Sequence, residues 1–256
     1  MSNEQNGQSG PSSRVATGLL LLGLTLGLSL VAAASVASRA FLQARSVDQA
    51  LEVKGFAERH IESNLARWRG GITTRASSLD EAYAALARDR ERLIALLDAA
   101  GVPVEERSLA PATTQVLFER DARGNYTNQV EGYALRQQVV LTSSDIDRVQ
   151  RVMSASDELI RAGIEFESHS PEFFYTKLGE LKIDMLREAT ADGRRRAQTL
   201  ADAGGGTLGR LVSARQGVFQ ITPAHSTEIS DYGRNDTSTR QKAIKAVVTL
   251  EYALGS

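Results

Sequence analysis

Glu165, Glu167 and His169 occupy alternate positions in Ile164-Glu165-Phe166-Glu167-Ser168-His169. On an extended strand alternate side chains share a face, so two carboxylates and an imidazole could converge on one divalent ion such as zinc. The plainer reading of that pattern is an exposed strand face with Phe166 turned inward. His60 and Glu62 repeat it on a smaller scale, and the plainer reading serves there too. Glu165, Glu167 and His169 are therefore weak metal candidates only. No catalytic residue, cofactor-binding residue or cofactor is expected.

Three further patterns resemble chemistry and are set aside on position. Gly204-x-Gly206-x-x-Gly209 spells a dinucleotide fingerprint, but that motif must follow a strand and open a helix so that the helix N-terminus meets the pyrophosphate. Here a helical pattern precedes it and a strand pattern follows, so the glycines read as a helix stop. A hydrolase triad could use His225 with Ser226 or Asp231, yet no Gly-x-Ser-x-Gly elbow holds a nucleophile. Arg194-Arg195-Arg196 could meet lipid or phosphate; adjacent residues on a helix point to different sides, and a solvated face is the simpler account. Asn125-Tyr126-Thr127 and Asn235-Asp236-Thr237 match glycosylation acceptors but lie in turn-like sequence. Trp68, between Arg67 and Arg69, has an interface composition and reads better as a core residue.

Composition narrows the classes. The formal net charge is −1, and the basic residues are scattered, so the basic face of a nucleic-acid binder is missing. The chain has no cysteine, which excludes disulfides, thiol catalysis and Cys-ligated metals.

Val15 to Ala37 is an uncharged run of 23 residues between Arg14 and Arg39. About 20 apolar residues span the hydrocarbon core as a helix that satisfies its own backbone. The run reads as a retained transmembrane anchor over 14–38. The alternative is a signal peptide cleaved after Ser35-Val36-Ala37; against it stand the length of the run and the lack of basic residues in Met1 to Ser13. Gly23-x-x-x-Gly27 could bring two such helices together. Arg14 faces Arg39 and Arg45 across the run, so charge leaves the orientation open. Residues 1–13, rich in Ser, Asn, Gln and Gly, are expected to be a disordered tail.

The elements that must position these residues follow over 46–256. Leu51, Val53 and Gly55 alternate with Glu52, Lys54 and Phe56 as a half-buried strand. A second strand runs from Leu65 to Thr74, with a bulge expected at Gly70-Gly71. Ser78 to Ala100 is the clearest helix: Ser78-x-x-Glu81 is a capping box, Leu79, Ala82, Leu86, Leu93, Leu97 and Ala100 form a stripe, and Gly101 and Pro103 end it. Strands over 106–120 and 128–142 flank a turn. A helix from Ser144 to Gly163 carries Ile146, Val149, Met153 and Ile160. A third helix spans 177–203, its face narrowed by Ala189, Gly193 and Ala197 so that a neighbouring backbone can approach. Strands at 208–221 and 243–254 close an α+β body of mixed and antiparallel sheets packed by three helices.

This layout resembles the SIMPL-domain family, which includes bacterial periplasmic immunogenic proteins. The resemblance rests on Val53-x-Gly55-Phe56, Ala99-Ala100-Gly101-Val102, Gly132-Tyr133-Ala134, Ala162-Gly163-Ile164-x-Phe166, and Arg194 to Ala197 with Leu200-Ala201-x-Ala203-Gly204 and Leu208-Gly209. It departs at Ser63-Asn64, where the family often has Pro-Asp, and around Pro111, where the family's Pro-x-Tyr is missing. It implies an envelope-facing body with no established catalytic residues, a tendency to homo-oligomerise, and a cytoplasmic N-terminus. The expectation is a non-catalytic, single-pass protein of the bacterial inner membrane whose periplasmic body joins copies of itself or envelope partners through strand edges or the narrow helix face. A secreted periplasmic form, and a metal- or small-ligand-binding protein, are the alternatives.

Overall fold

A computed structural model describes residues 13–45, 50–226 and 232–255. The expected disordered tail lies outside them, apart from Ser13. Helix α1 runs over Ser13–Arg45, and its described side chains, residues 22–38, are exposed throughout. Among the described residues, whose side chains in α1 are those of 22–38 alone, no helix is long and apolar enough to cross a membrane.

The chain divides into two compact units, Met1–Val53 with Ala197–Ala214 and Leu250–Ser256, and Lys54–Arg196 with Arg215–Thr249. The strands are β1 (Ala50–Glu62), β2 (Leu65–Ala76), β3 (Arg107–Leu109), β4 (Thr113–Arg120), β5 (Tyr126–Ser143), β6 (Glu165–Ser168), β7 (Glu172–Phe174), β8 (Thr207–Gln216), β9 (Gln220–Pro223), β10 (Arg234–Asn235) and β11 (Gln241–Gly255). The remaining helices are α2 (Leu79–Ala99), α3 (Ile146–Ala155), α4 (Asp157–Arg161) and α5 (Leu178–Ala203). One sheet orders β1-β11-β9-β10, with β8 also on β11; the other orders β3-β5-β2-β6, with β4 on β5 and β7 on β2. β9 pairs antiparallel to β11 and parallel to β10, so the first sheet is mixed.

In the second unit, the core sits on one face of β2 and β5. Trp68, Ile72, Val139 and Leu141 are fully buried beside Leu86, Leu93 and Leu97 of α2 and Val149 and Val152 of α3. Trp68 is a core residue, its Nε1–H donating to Ser168 Oγ at 3.1 Å. The expected bulge at Gly70-Gly71 does not form: the β2–β5 register is unbroken from Ala66↔Ser143 to Ala76↔Tyr133. Instead, a Cβ at Gly70 would run into the Phe166 ring and come within 2.9 Å of the Trp68 ring, so the glycine makes room for two aromatics.

Helix α2 begins where Ser78 Oγ accepts from the Glu81 N–H at 3.3 Å. The reciprocal half of the capping box is missing, because the Glu81 carboxylate accepts from Ser77 Oγ at 3.0 Å. Gly101 and Gly163 both sit at positive φ, 69° and 80°, which L side chains adopt at a cost. Between them, the helix expected from Ser144 to Gly163 is broken at Ser156, so the body has four helices instead of three among the described residues. Ser156 is fully buried, and its Oγ donates to the Met153 carbonyl at 2.6 Å. The buried stripe runs through Val152 and Leu159; Met153, half-buried, packs against the core, and Ile160 is exposed. The strand expected over 106–120 is likewise split: Pro111 has no N–H to give, and β3 and β4 pair separately with β5. β8 and β9 also replace one expected strand, with a gap at Gly217 to Phe219.

The narrow face of α5 receives β1. A Cβ at Gly55 would meet the Ala189 carbonyl and lie 2.7 Å from the Gly193 nitrogen. The Phe56 N–H donates to Asp192 Oδ2 at 3.0 Å, and Arg59 pairs with Glu188. Burial pushes the Asp192 carboxyl up, but the Phe56 N–H and Arg196 outweigh it and hold it below its ordinary value. In the first unit, a Cβ at Gly209 of β8 would fall 2.7 Å from the Ala253 carbonyl oxygen of β11; Leu200, expected on the buried stripe, is exposed, and Ala201 is buried in its place.

Candidate functional site

The strand β6 puts Glu165 opposite Thr73 and Glu167 opposite Gly71 of β2. Alternation then places both carboxylates on the face of the sheet away from the core, while Phe166 is buried against Trp68 at 6.0 Å between ring centroids. On that outer face Arg75 pairs with Glu165 and Arg136 with Glu167. His169 Nε2 lies 3.4 Å from Glu167 Oε1. With Thr73, Thr113 and Thr114, the two carboxylates and their arginines border a polar trough of about 440 Å³. The arginines supply the counter-charge that a metal ion would otherwise provide. Among the described residues no three His, Cys, Asp or Glu side chains gather as a metal ion requires.

Folding brings together a second group that is dispersed in sequence. His60 and Glu62 of β1 line a concavity of about 290 Å³ together with His225 and Lys242. Glu62 and Lys242 are already engaged. Glu62 accepts from Arg240 Nε at 2.7 Å, and the Arg240 Nη1–H donates to Asp147 Oδ1 at 2.5 Å. Lys242, only 2% exposed, donates through Nζ to the Asp236 backbone carbonyl at 2.7 Å and to the Asp236 carboxylate at 3.1 Å. Burial pushes the Asp236 carboxyl up, yet hydrogen bonds from Ser238, Thr239 and Lys242 overcome it and hold the group well below the usual carboxylate range. This network ties the chain before β11 in place. Alternation paired His60 with Glu62 in the sequence; nothing in it signalled that His225 would join them.

The remaining motifs are absorbed locally. Arg195 and Arg196 both pair with Asp192, at 3.2 and 2.7 Å, and Arg194 is exposed. The Gly204 to Gly209 segment follows α5 and enters β8, with Gly205 at φ 76°; a helix C-terminus offers carbonyls, not the N–H groups a pyrophosphate needs. Asp231 lies outside the described residues, so the triad has no geometry to report. Asn125 donates through Nδ2 to Asp121 at 3.3 Å inside the β4–β5 turn.

Residues 51–252 match the model of the family SIMPL, described as a protein of unknown function (DUF541). The chain belongs to the SIMPL family. That match covers the body from β1 into β11 and leaves out α1. No curated protein is matched by the sequence. Among solved structures, a hydantoinase/carbamoylase family amidase from Burkholderia ambifaria shares 14% identity over 45% of this chain and 29% of its own, at a TM-score of 0.26. The regulatory subunit of aspartate kinase from Thermus thermophilus, in its ligand-free form, shares 12% over 77% of this chain and 88% of its own, at 0.20. The chain therefore spans under a third of the amidase, and overlaps at these TM-scores carry no argument about fold or function.

Proposed function

We propose that this SIMPL protein is a non-catalytic, single-pass protein of the bacterial inner membrane, with its N-terminus cytoplasmic and its body in the periplasm, where the body assembles with copies of itself or with envelope partners. One observation carries the reading. The described apolar side chains of α1 are bare, from Leu26 at 57% to Leu30 at 70% exposed, inside an uncharged run long enough for the hydrocarbon core. Leaving so many leucines in water is costly, at roughly 25 cal/mol for each Å², and lipid removes that cost. The side of the membrane follows from the resemblance to periplasmic proteins. The non-catalytic part rests on the candidate carboxylates, which are engaged by arginines: Glu165 with Arg75, Glu167 with Arg136, and Glu62 with Arg240.

A reporter fused after Ser256 and active only outside the cytoplasm tests the location, combined with fractionation and the mass of the mature chain. Activity in the membrane fraction at full mass is expected. A mass beginning after Ala37 would make the protein a secreted one. A soluble cytosolic product with residues 15–37 intact would end the anchor reading.

A further inference from the structure

We infer that the trough between α2 and the α3–α4 pair binds a small amphiphile bearing one carboxylate on an aliphatic body. The trough holds about 660 Å³, within the range of small-molecule sites and short of the extended row of anchors that a docked helix requires. Its space comes from alanines: Ala99 on α2, Ala155 on α3 and Ala162 after α4 present only a Cβ, while Leu96 and Leu159 supply an apolar floor. The charge at the rim selects the head group. Arg92 stands one turn before Leu96, and Arg151 one turn before Ala155, so each helix offers a guanidinium to the trough. Arg92 makes no hydrogen bond or ion pair among the described residues. Arg151 reaches Asp145 only at 3.9 Å, a carboxylate that Arg148 already holds at 3.1 Å. Guanidinium groups suit a carboxylate, which they can grip through two parallel hydrogen bonds. Glu158 is the one carboxylate lining the trough; it leaves the rim net positive and disfavours a ligand with a second negative charge. This site does not depend on the anchor reading, since every residue in it belongs to the second unit.

The test uses the full chain in phosphatidylcholine nanodiscs, titrated calorimetrically with octanoate, octanamide and octylammonium against empty nanodiscs. Saturable octanoate binding about tenfold tighter than octanamide is expected, the preference that charge-assisted hydrogen bonds confer, with no saturable octylammonium binding. The double variant R92E/R151E should lose the preference at an unchanged melting temperature, and Ala99→Phe, at an exposed position, should fill the trough and abolish binding of both. Equal affinities for octanoate and octanamide, a preference that survives R92E/R151E, or no heat beyond empty nanodiscs would each overturn the proposal.

Discussion

A methyl group added at Gly55 would lie 2.7 Å from the Gly193 nitrogen and 2.9 Å from its Cα, and these are backbone atoms that cannot swing aside. Gly55→Ala is therefore expected to cost about 3 kcal/mol or more, at the upper end of overpacking penalties, read as the shift in a urea unfolding curve. Gly179→Ala is the control: nothing lies within 4 Å of its added Cβ, and alanine at this helix position should be neutral or gain about 0.5 kcal/mol. The stripe of Ala189, Gly193 and Ala197 announced a close approach in the sequence but could not name β1 as the visitor, because nothing local encodes which backbone arrives. The Asp236–Lys242 pair yields a prediction with a sign. The folded Asp236 carboxyl titrates below its ordinary 3.8, so its contribution is complete above that pH and is lost as pH falls from there towards the folded value. Asp236→Asn leaves Lys242 charged and buried without its counter-ion, at a cost of about 3 kcal/mol. The stability gap between wild type and variant should be flat from neutrality down to about pH 4 and close below it. A gap of constant size down to pH 2 would remove the carboxylate from the explanation.

Elements whose ends are marked by local chemistry were the most legible in sequence. Ser78 starts α2 and the glycines at 101 and 163 stop the helices before them because one side chain, or the lack of one, satisfies or releases the terminal backbone groups. The break at Ser156 was illegible: apolar residues recur through it, and only the tertiary structure shows why it exists. There, Ser156 Oγ lies 3.4 Å from Ser168 Oγ, which accepts the indole N–H of Trp68. The break thus sits beside the one polar contact that lets a tryptophan be buried between β2 and the helices. Ser168→Ala strands that N–H and should cost about 1–3 kcal/mol. In the background of Trp68→Phe the same change should cost much less, since the donor is gone. Thermal or urea unfolding followed by circular dichroism closes the cycle; additive costs would show that the hydroxyl acts elsewhere. The pairing of Glu165 and Glu167 was half legible for a related reason: alternation placed them on an open face, but which arginines sit opposite depends on the register of β2 and β5, and register is a tertiary property.

For the molecule as a whole, the proposed assembly needs a surface, and the fold reduces the options. The narrow face of α5 near Gly193 is filled by the chain's own Gly55, which leaves the strand edges. β4 pairs only with β5 among the described residues, so one side of its backbone is open, the arrangement that recruits another strand. Its sequence, Thr-Thr-Gln-Val-Leu-Phe-Glu-Arg, has none of the lysines or prolines that commonly guard an edge; register shifts between Leu117 and Phe118 and between Phe118 and Arg120 interrupt it. Val116 and Phe118 are 38% and 40% exposed, and Val130, paired opposite Phe118, is 48% exposed. Two copies joined edge to edge would continue the sheet and cover these side chains. The absence of cysteine from the chain makes the test clean, because Phe118→Cys carries the sole thiol. Oxidised in intact cells and run without reductant, this variant should give a band of twice the chain's mass. Tyr83→Cys, exposed on α2, should remain at single mass. Dimer bands of equal strength from both would mean random collision, and none from Phe118→Cys would show that β4 does not meet its counterpart there. Val116→Lys with Phe118→Lys, placing charge on the same edge, should lower the mass seen by light scattering while leaving the melting temperature of the body unchanged, since neither side chain belongs to the buried core.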